Sequence, residues 1–166
     1  MMNKKLIISI SIIIVLLAFG TFWYLYKNTY YHNSAIKNSN PASCLKINND
    51  LKISQCLGKV AVKVDNAGIC TNSPRMYIMV CFGMFAENGG SILRCSEVEP
   101  GVDEYNCYAA FGQSMRTTSA CGPLSGEKQD YCKKIVATTT KNISLCEELM
   151  TSGYKESCIE IIKSNP

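Results

Sequence analysis

The chain has 166 residues, 47% of them hydrophobic and 18% charged, a charged share below the roughly 25% of soluble globular domains. Its formal net charge is +4, and Lys4, Lys5 and Lys27 around one apolar run supply most of it, because from residue 33 onward 14 basic groups meet 13 acidic ones. That length holds one domain rather than two, and that balance leaves a basic nucleic-acid face unsupported.

Residues 1–5 read as a cytoplasmic N-terminus. Residues 6–26 (LIISISIIIVLLAFGTFWYLY) carry no charge, and a helix of that length, at ~1.5 Å per residue, crosses a ~30 Å hydrocarbon core. Trp23, Tyr24 and Tyr26, with Tyr30 and Tyr31 beyond, make an interfacial belt. Lys4 and Lys5 outweigh Lys27, so the run is expected to be a transmembrane signal-anchor helix that leaves the N-terminus inside and exports the rest. The alternative is a signal peptide cleaved at Ala18-Phe19-Gly20, which leaves a secreted domain; against it stands the continuation of the apolar run beyond a usual h-region of ~7 to 15 residues. Residues 27–39, rich in Asn and Ser and without apolar periodicity, read as a stalk, and the only histidine, His32, reads as its solvated linker residue.

Residues 40–166 carry an internal repeat. The cysteines fall at Cys44, Cys56, Cys70, Cys81, Cys95, Cys107, Cys121, Cys132, Cys146 and Cys158, separated by 12, 14, 11, 14, 12, 14, 11, 14 and 12 positions. This is a period of 25 to 26 residues, five times over. Four residues before the first cysteine of each unit stand Asn40, Asn66, Ser91, Thr117 and Asn142, all with short side-chain oxygens suited to a helix N-cap. Four residues after the second stand Val60, Phe85, Phe111, Val136 and Ile162, one helical turn away on the cysteine's own face. Small residues follow at Ala61, Ala86, Gly112 and Ala137, where a neighbouring helix has room to approach. Turn chemistry at Asn49-Asp50, Ser73-Pro74, Pro100-Gly101, Ser125-Gly126 and Ser152-Gly153 divides each unit into two short helices. A hairpin folded there brings its two cysteines together, so the expected disulfides are Cys44–Cys56, Cys70–Cys81, Cys95–Cys107, Cys121–Cys132 and Cys146–Cys158. Pairing across units is the other geometric option, and it strands Cys44 and Cys158.

The fold expected is therefore all-α: a transmembrane helix followed by a solenoid of five disulfide-stapled helical hairpins in an extracytoplasmic, oxidising compartment. Its interior is expected to include Tyr77, Phe82, Phe85, Tyr105, Tyr108, Phe111, Ile135 and Ile161. Helix 76–86, apolar on all sides with three methionines, is expected to be core. In general design the chain is similar to secreted helical-repeat proteins whose hairpins are stapled by cysteine pairs, and no function follows from that likeness.

Cysteines lacking any C-x2-C or C-x4-C spacing are poor metal knuckles, so neither metal nor cofactor is expected. Glu97, Glu99, Asp103 and Glu104 around the third turn are the one carboxylate cluster available for acid–base or cation chemistry, and charges beside Pro-Gly also suit a solvated loop. Residues 34–83 carry six basic and two acidic groups against eight and eleven in 84–166, so the half nearer the anchor is basic enough to meet anionic head groups. The expected role is a protein- or peptide-binding or scaffold module, of which an inhibitor or immunity-type factor is one form. The alternatives are a carboxylate-based envelope enzyme or enzyme subunit, and a purely structural component of an envelope complex.

Overall fold

A computed structural model of the protein describes residues 4–165, with side chains over residues 13–165. Among these residues the chain is helical throughout, with no strand. It opens with α1 (Lys4–Asn38), a single helix of 35 residues. The expected stalk at 27–39 is instead the last third of this helix. The reason is burial: Asn28, Tyr31 and Ala35 follow one another at helical spacing, Ala35 is fully buried, and Tyr31 and Ile36 pack on the same core. Docking onto the first hairpin overrides the weak helix propensity of an Asn- and Ser-rich stretch.

Among the described residues, no helix is long and apolar enough to cross a membrane. Residues 13–26 of the apolar run rise about 21 Å as a helix, and the side chains of residues 6–12 lie outside those described, as do residues 1–3 of the expected cytoplasmic segment.

Five units follow. The second helix of each is long: α3 (Asp50–Val64), α4 (Ile78–Glu87), α5 (Val102–Met115), α6 (Gly126–Thr140) and α8 (Ser152–Ser164). The first is much shorter than a hairpin of two equal helices requires. It is α2 (Pro41–Cys44), a 3-10 turn at Ala67–Asn72, another at Ile92–Glu97, a third at Thr118–Cys121, and α7 (Ile143–Glu147). Only six to nine residues separate each cap from the following tip. That is room for one or two tight turns, the length at which 3-10 geometry is commonest.

The joints between units repeat one device. Ser39, Asp65, Arg116 and Lys141 adopt left-handed backbone, with φ between 50° and 54°. The next residue's N–H then reaches back five positions, from Asn40 to Ala35 O at 3.0 Å, Asn66 to Ala61 O at 3.0 Å, Thr117 to Gly112 O at 3.1 Å and Asn142 to Ala137 O at 2.9 Å. This is the Schellman closure, which satisfies a carbonyl the helix end leaves free. Between α4 and the third unit Gly89 takes the positive φ, and Gly90 N–H reaches Phe85 O at 2.9 Å. Because α1 ends on the same joint, its last third stands where the long helix of a preceding unit would stand.

Each long helix packs on the next in chain order: α1 on α3, α3 on α4, α4 on α5, α5 on α6 and α6 on α8. The helices run parallel and in register. A Cβ on Gly58 would meet Cys81 O and Met84 Cβ at 2.6 Å, so α3 and α4 touch at backbone distance. Phe85 and Phe111, both four residues past their cysteines, meet edge to face at 5.9 Å. Tyr105 meets Tyr131 near the start of α5 and α6, and Gly112 faces Val136 near their ends. The buried residues form two clusters, a large one that includes Val60, Phe85, Phe111 and Val136 and a small one in the last unit that holds Ile162 with Cys146, Leu149 and Cys158. Ile161 is exposed, because Ile162 holds the cysteine-facing position in α8. Tyr77, Tyr105 and Ile135 are half-buried. Helix 76–86 is mixed rather than wholly core: Ile78, Phe82 and Phe85 are buried, while Met76 is 86% exposed.

Candidate functional site

The ten cysteines form five disulfides, Cys44–Cys56, Cys70–Cys81, Cys95–Cys107, Cys121–Cys132 and Cys146–Cys158, each within one unit. Every half-cystine is fully buried. Each of Asn40, Asn66, Ser91, Thr117 and Asn142 accepts the N–H two residues ahead, at Ala42, Gly68, Leu93, Ser119 and Ser144. Cap and staple sit one turn apart, so the two ends of each short arm are pinned.

A second set of pins lies on the long helices. Asn28, Ser54, Met79, Tyr105 and Asp130 each stand sixteen positions before the first cysteine of the following unit. Two of them hold that unit's tip. Asn28 Oδ1 accepts Asn48 N–H at 3.0 Å. Asp130, only 1% exposed, accepts with Oδ2 from Met150 N–H at 3.0 Å, Thr151 N–H at 2.7 Å and Thr151 Oγ1 at 2.8 Å. The carboxylate thereby fixes the start of α8. Ser54 is equally buried, and its Oγ has no hydrogen-bond partner.

The contact between α1 and the first unit is made at both ends. Tyr24 Oη donates to Asn48 O at 3.0 Å beside the Asn28 pin, and Lys63 Nζ, at the far end of α3, donates to Ile36 O at 2.8 Å and Lys37 O at 2.7 Å. α1 and α3 therefore lie side by side in the same direction. The first tip sits level with Tyr24 to Asn28, at the end of the apolar run. His32 borders a shallow cleft with Asn28, Ile47 and Lys52 rather than a solvated linker. Along α1 from Ile13 to Tyr26 the large apolar side chains are exposed, Phe19 and Phe22 by 67%.

The carboxylates of the third turn do not converge. Glu97 pairs with Arg94, which also binds Asp65 with Nε at 2.8 Å; these two partners hold the guanidinium pKa above its ordinary range. The pair joins the end of α3 to the third unit's short arm. Glu104 reaches Lys128 at 3.6 Å. Glu99 and Asp103 edge an open cleft of about 270 Å³ with Arg75, Pro100 and Asn106. Among the described residues no group of three or more His, Cys, Asp or Glu is placed to hold a metal ion.

Sequence reasoning passed over a ladder of tyrosines. Tyr105, Tyr131 and Tyr154 stack edge to face at 5.1 and 6.2 Å across the last three units, and Tyr154 donates to Glu127 Oε1 at 3.2 Å. Burial pushes the Tyr131 phenol above its usual value, with Tyr105 beside it adding to the shift. Their positions relative to the cysteines differ from unit to unit, which hides the ladder in the periodicity. No family model, curated protein or solved structure matches the chain.

Proposed function

We propose that the protein is a single-pass, membrane-anchored helical-repeat protein whose stapled units form a solenoid outside the cytoplasm and serve as a protein- or peptide-binding or scaffold module. The observation that carries the reading is the continuity of α1. One helix bears a collar of exposed apolar side chains over residues 13–26 and then, without a break, becomes the packed edge of a disulfide-bonded stack. A collar of that kind is costly in water and suits lipid. With residues 6–12, all uncharged, the run reaches spanning length.

Five staples support an oxidising, extracytoplasmic site. They also favour recognition over conformational change, because a rigid surface loses little entropy on binding. After Met76 at 86%, Leu93 and Met150, exposed by 75% and 76%, are the most exposed large apolar side chains along the stack.

Two measurements test this. The intact mass of protein taken from membranes without reductant, with free thiols alkylated, is expected to retain residues 1–26 and to show no alkylation. A mass beginning after Gly20 overturns the anchor, and alkylated cysteines overturn the compartment. Photo-crosslinkers at positions 93 and 150 are then expected to capture the same discrete adduct, which persists when residues 6–26 are exchanged for an unrelated anchor. An adduct that depends on the native run instead assigns the contact to the helix.

A further inference from the structure

Because the long helices are parallel and in register, the unit tips lie towards the end at which α1 leaves the apolar run. The first tip is fixed there by two hydrogen bonds, Tyr24 Oη to Asn48 O and Asn48 N–H to Asn28 Oδ1, both 3.0 Å. Tyr24 belongs to the aromatic belt of Phe22, Trp23 and Tyr26, whose rings follow one another along α1 at 6.3 to 6.4 Å. The tip is therefore level with the segment that an interface would hold, as aromatic belts do at head-group depth.

The chemistry of the first two tips matches that level. Leu51 and Met76 occupy the same register, five positions before the second cysteine of their units, and both are exposed, Met76 by 86%. Exposed Lys52 and Arg75 belong to these two tips and Lys46 lies over the Tyr31 ring beside the first; Asp50 is the one acid of the two tips, while Arg75 also lines the cleft edged by Glu99 and Asp103 of the third. Apolar tips ringed by cations are suited to an anionic lipid surface, into which the apolar group inserts while the cations meet phosphates. The basic edge stops at the third tip, where Glu99 and Asp103 flank Pro100-Gly101.

Resting on the anchoring read above, we infer that the tips of the first two units, led by Met76 and Leu51 with Lys52 and Arg75, form a second membrane contact that seats the stack flat on anionic lipid. Because α1 is continuous and packs on the first unit, the contact sets the orientation of the whole array.

All ten cysteines are disulfide-bonded, so one added cysteine gives a single labelling site. Met76→Cys, Phe22→Cys and Leu93→Cys, each carrying an environment-sensitive fluorophore, are placed in the full chain and reconstituted into phosphatidylcholine vesicles with and without phosphatidylglycerol. Position 93, on the short arm next to the far joint, is the control. Lipids carrying a head-group-depth quencher are expected to quench position 76 several-fold more than position 93, with phosphatidylglycerol strengthening the effect and added salt weakening it. The double change Lys52→Glu and Arg75→Glu is expected to abolish quenching at 76 while leaving it at 22. Quenching at 22 with none at 76 overturns the tip contact and keeps the anchor. No quenching at either position overturns the anchor and this contact together. Unquenched 76 in Lys52→Glu/Arg75→Glu counts only where mapping still finds the five native disulfides; otherwise Arg75→Gln alone is read for the same loss.

Discussion

Asp130 shows how much one side chain can organise without any local signal. Its carboxylate is buried in α6 and receives three donors from the tip of the next unit. Hydrogen bonds to a charged acceptor contribute about 1.5–3 kcal/mol, and the donors left behind pay their own desolvation. Asp130→Ala is therefore expected to destabilise the last unit by about 2 kcal/mol or more, read as faster amide exchange across α7 and α8 than across α3. Protection of α7 and α8 that is unchanged from the native chain excludes the pin. A second residue-scale test concerns the joints. Lys141 is exposed and holds φ 54°, a conformation that costs an L-residue roughly 1 kcal/mol or more. Lys141→Gly removes that cost and is expected to raise the urea midpoint slightly, whereas Lys128→Gly, inside α6, is expected to lower it, with a loss of about 1 kcal/mol in stability. The contrast between near and far contacts explains what the sequence discloses. An Asn, Ser or Thr that accepts from the N–H two residues on is described by spacing alone. Asn28 and Asp130 act across twenty residues or more, and an isolated Asn or Asp in a polar stretch looks the same whether it is solvated or pinning a tip.

At the level of elements, cysteine spacing and turn residues carried the helical, stapled design, because disulfides within a unit obey short-range geometry. The size of the first arm was not readable. Two equal helices and one long helix with a single tight turn produce nearly the same spacing of caps, cysteines and turns. Burial then decides between them, since the short arm contributes little more than its cysteine and one flanking apolar residue to the core. Closing a loop of this size stabilises by roughly 3 kcal/mol in the chain-entropy model. Replacing Cys95 by Ser is expected to leave Cys107 as the one alkylatable thiol and to loosen the third unit by about that amount. Should Cys81 or Cys121 react instead, the links run between units. Gly58 adds a contact that no periodicity announced. Its missing Cβ lets α3 lie against the backbone of α4, and Gly58→Ala must push the two helices apart.

For the molecule as a whole, the decisive correction concerns α1. Composition made residues 27–39 look like a flexible spacer, because Asn and Ser are common in linkers and the apolar contacts are few. What makes the segment helical is the surface waiting for it. Terminal units of a stacked array expose a face that their neighbours would otherwise cover, and such arrays need a cap. Here α1 supplies the cap: Tyr31, Ala35 and Ile36 cover the first hairpin, Asn28 takes its tip and Lys63 takes the end of α1. A chain of residues 27–166 is expected to unfold in urea as one transition, with its five disulfides intact. Residues 40–166 are expected to be less stable by about 2 kcal/mol or more, the worth of at least one well-buried apolar side chain, with the loss concentrated in exchange at α2 and α3. If both chains unfold at the same midpoint, the last third of α1 contributes no cap and behaves as the spacer its composition suggests. A difference confined to the first unit shows instead that the last third of α1 is the cap of that unit, so that α1 and the first hairpin form one packed body.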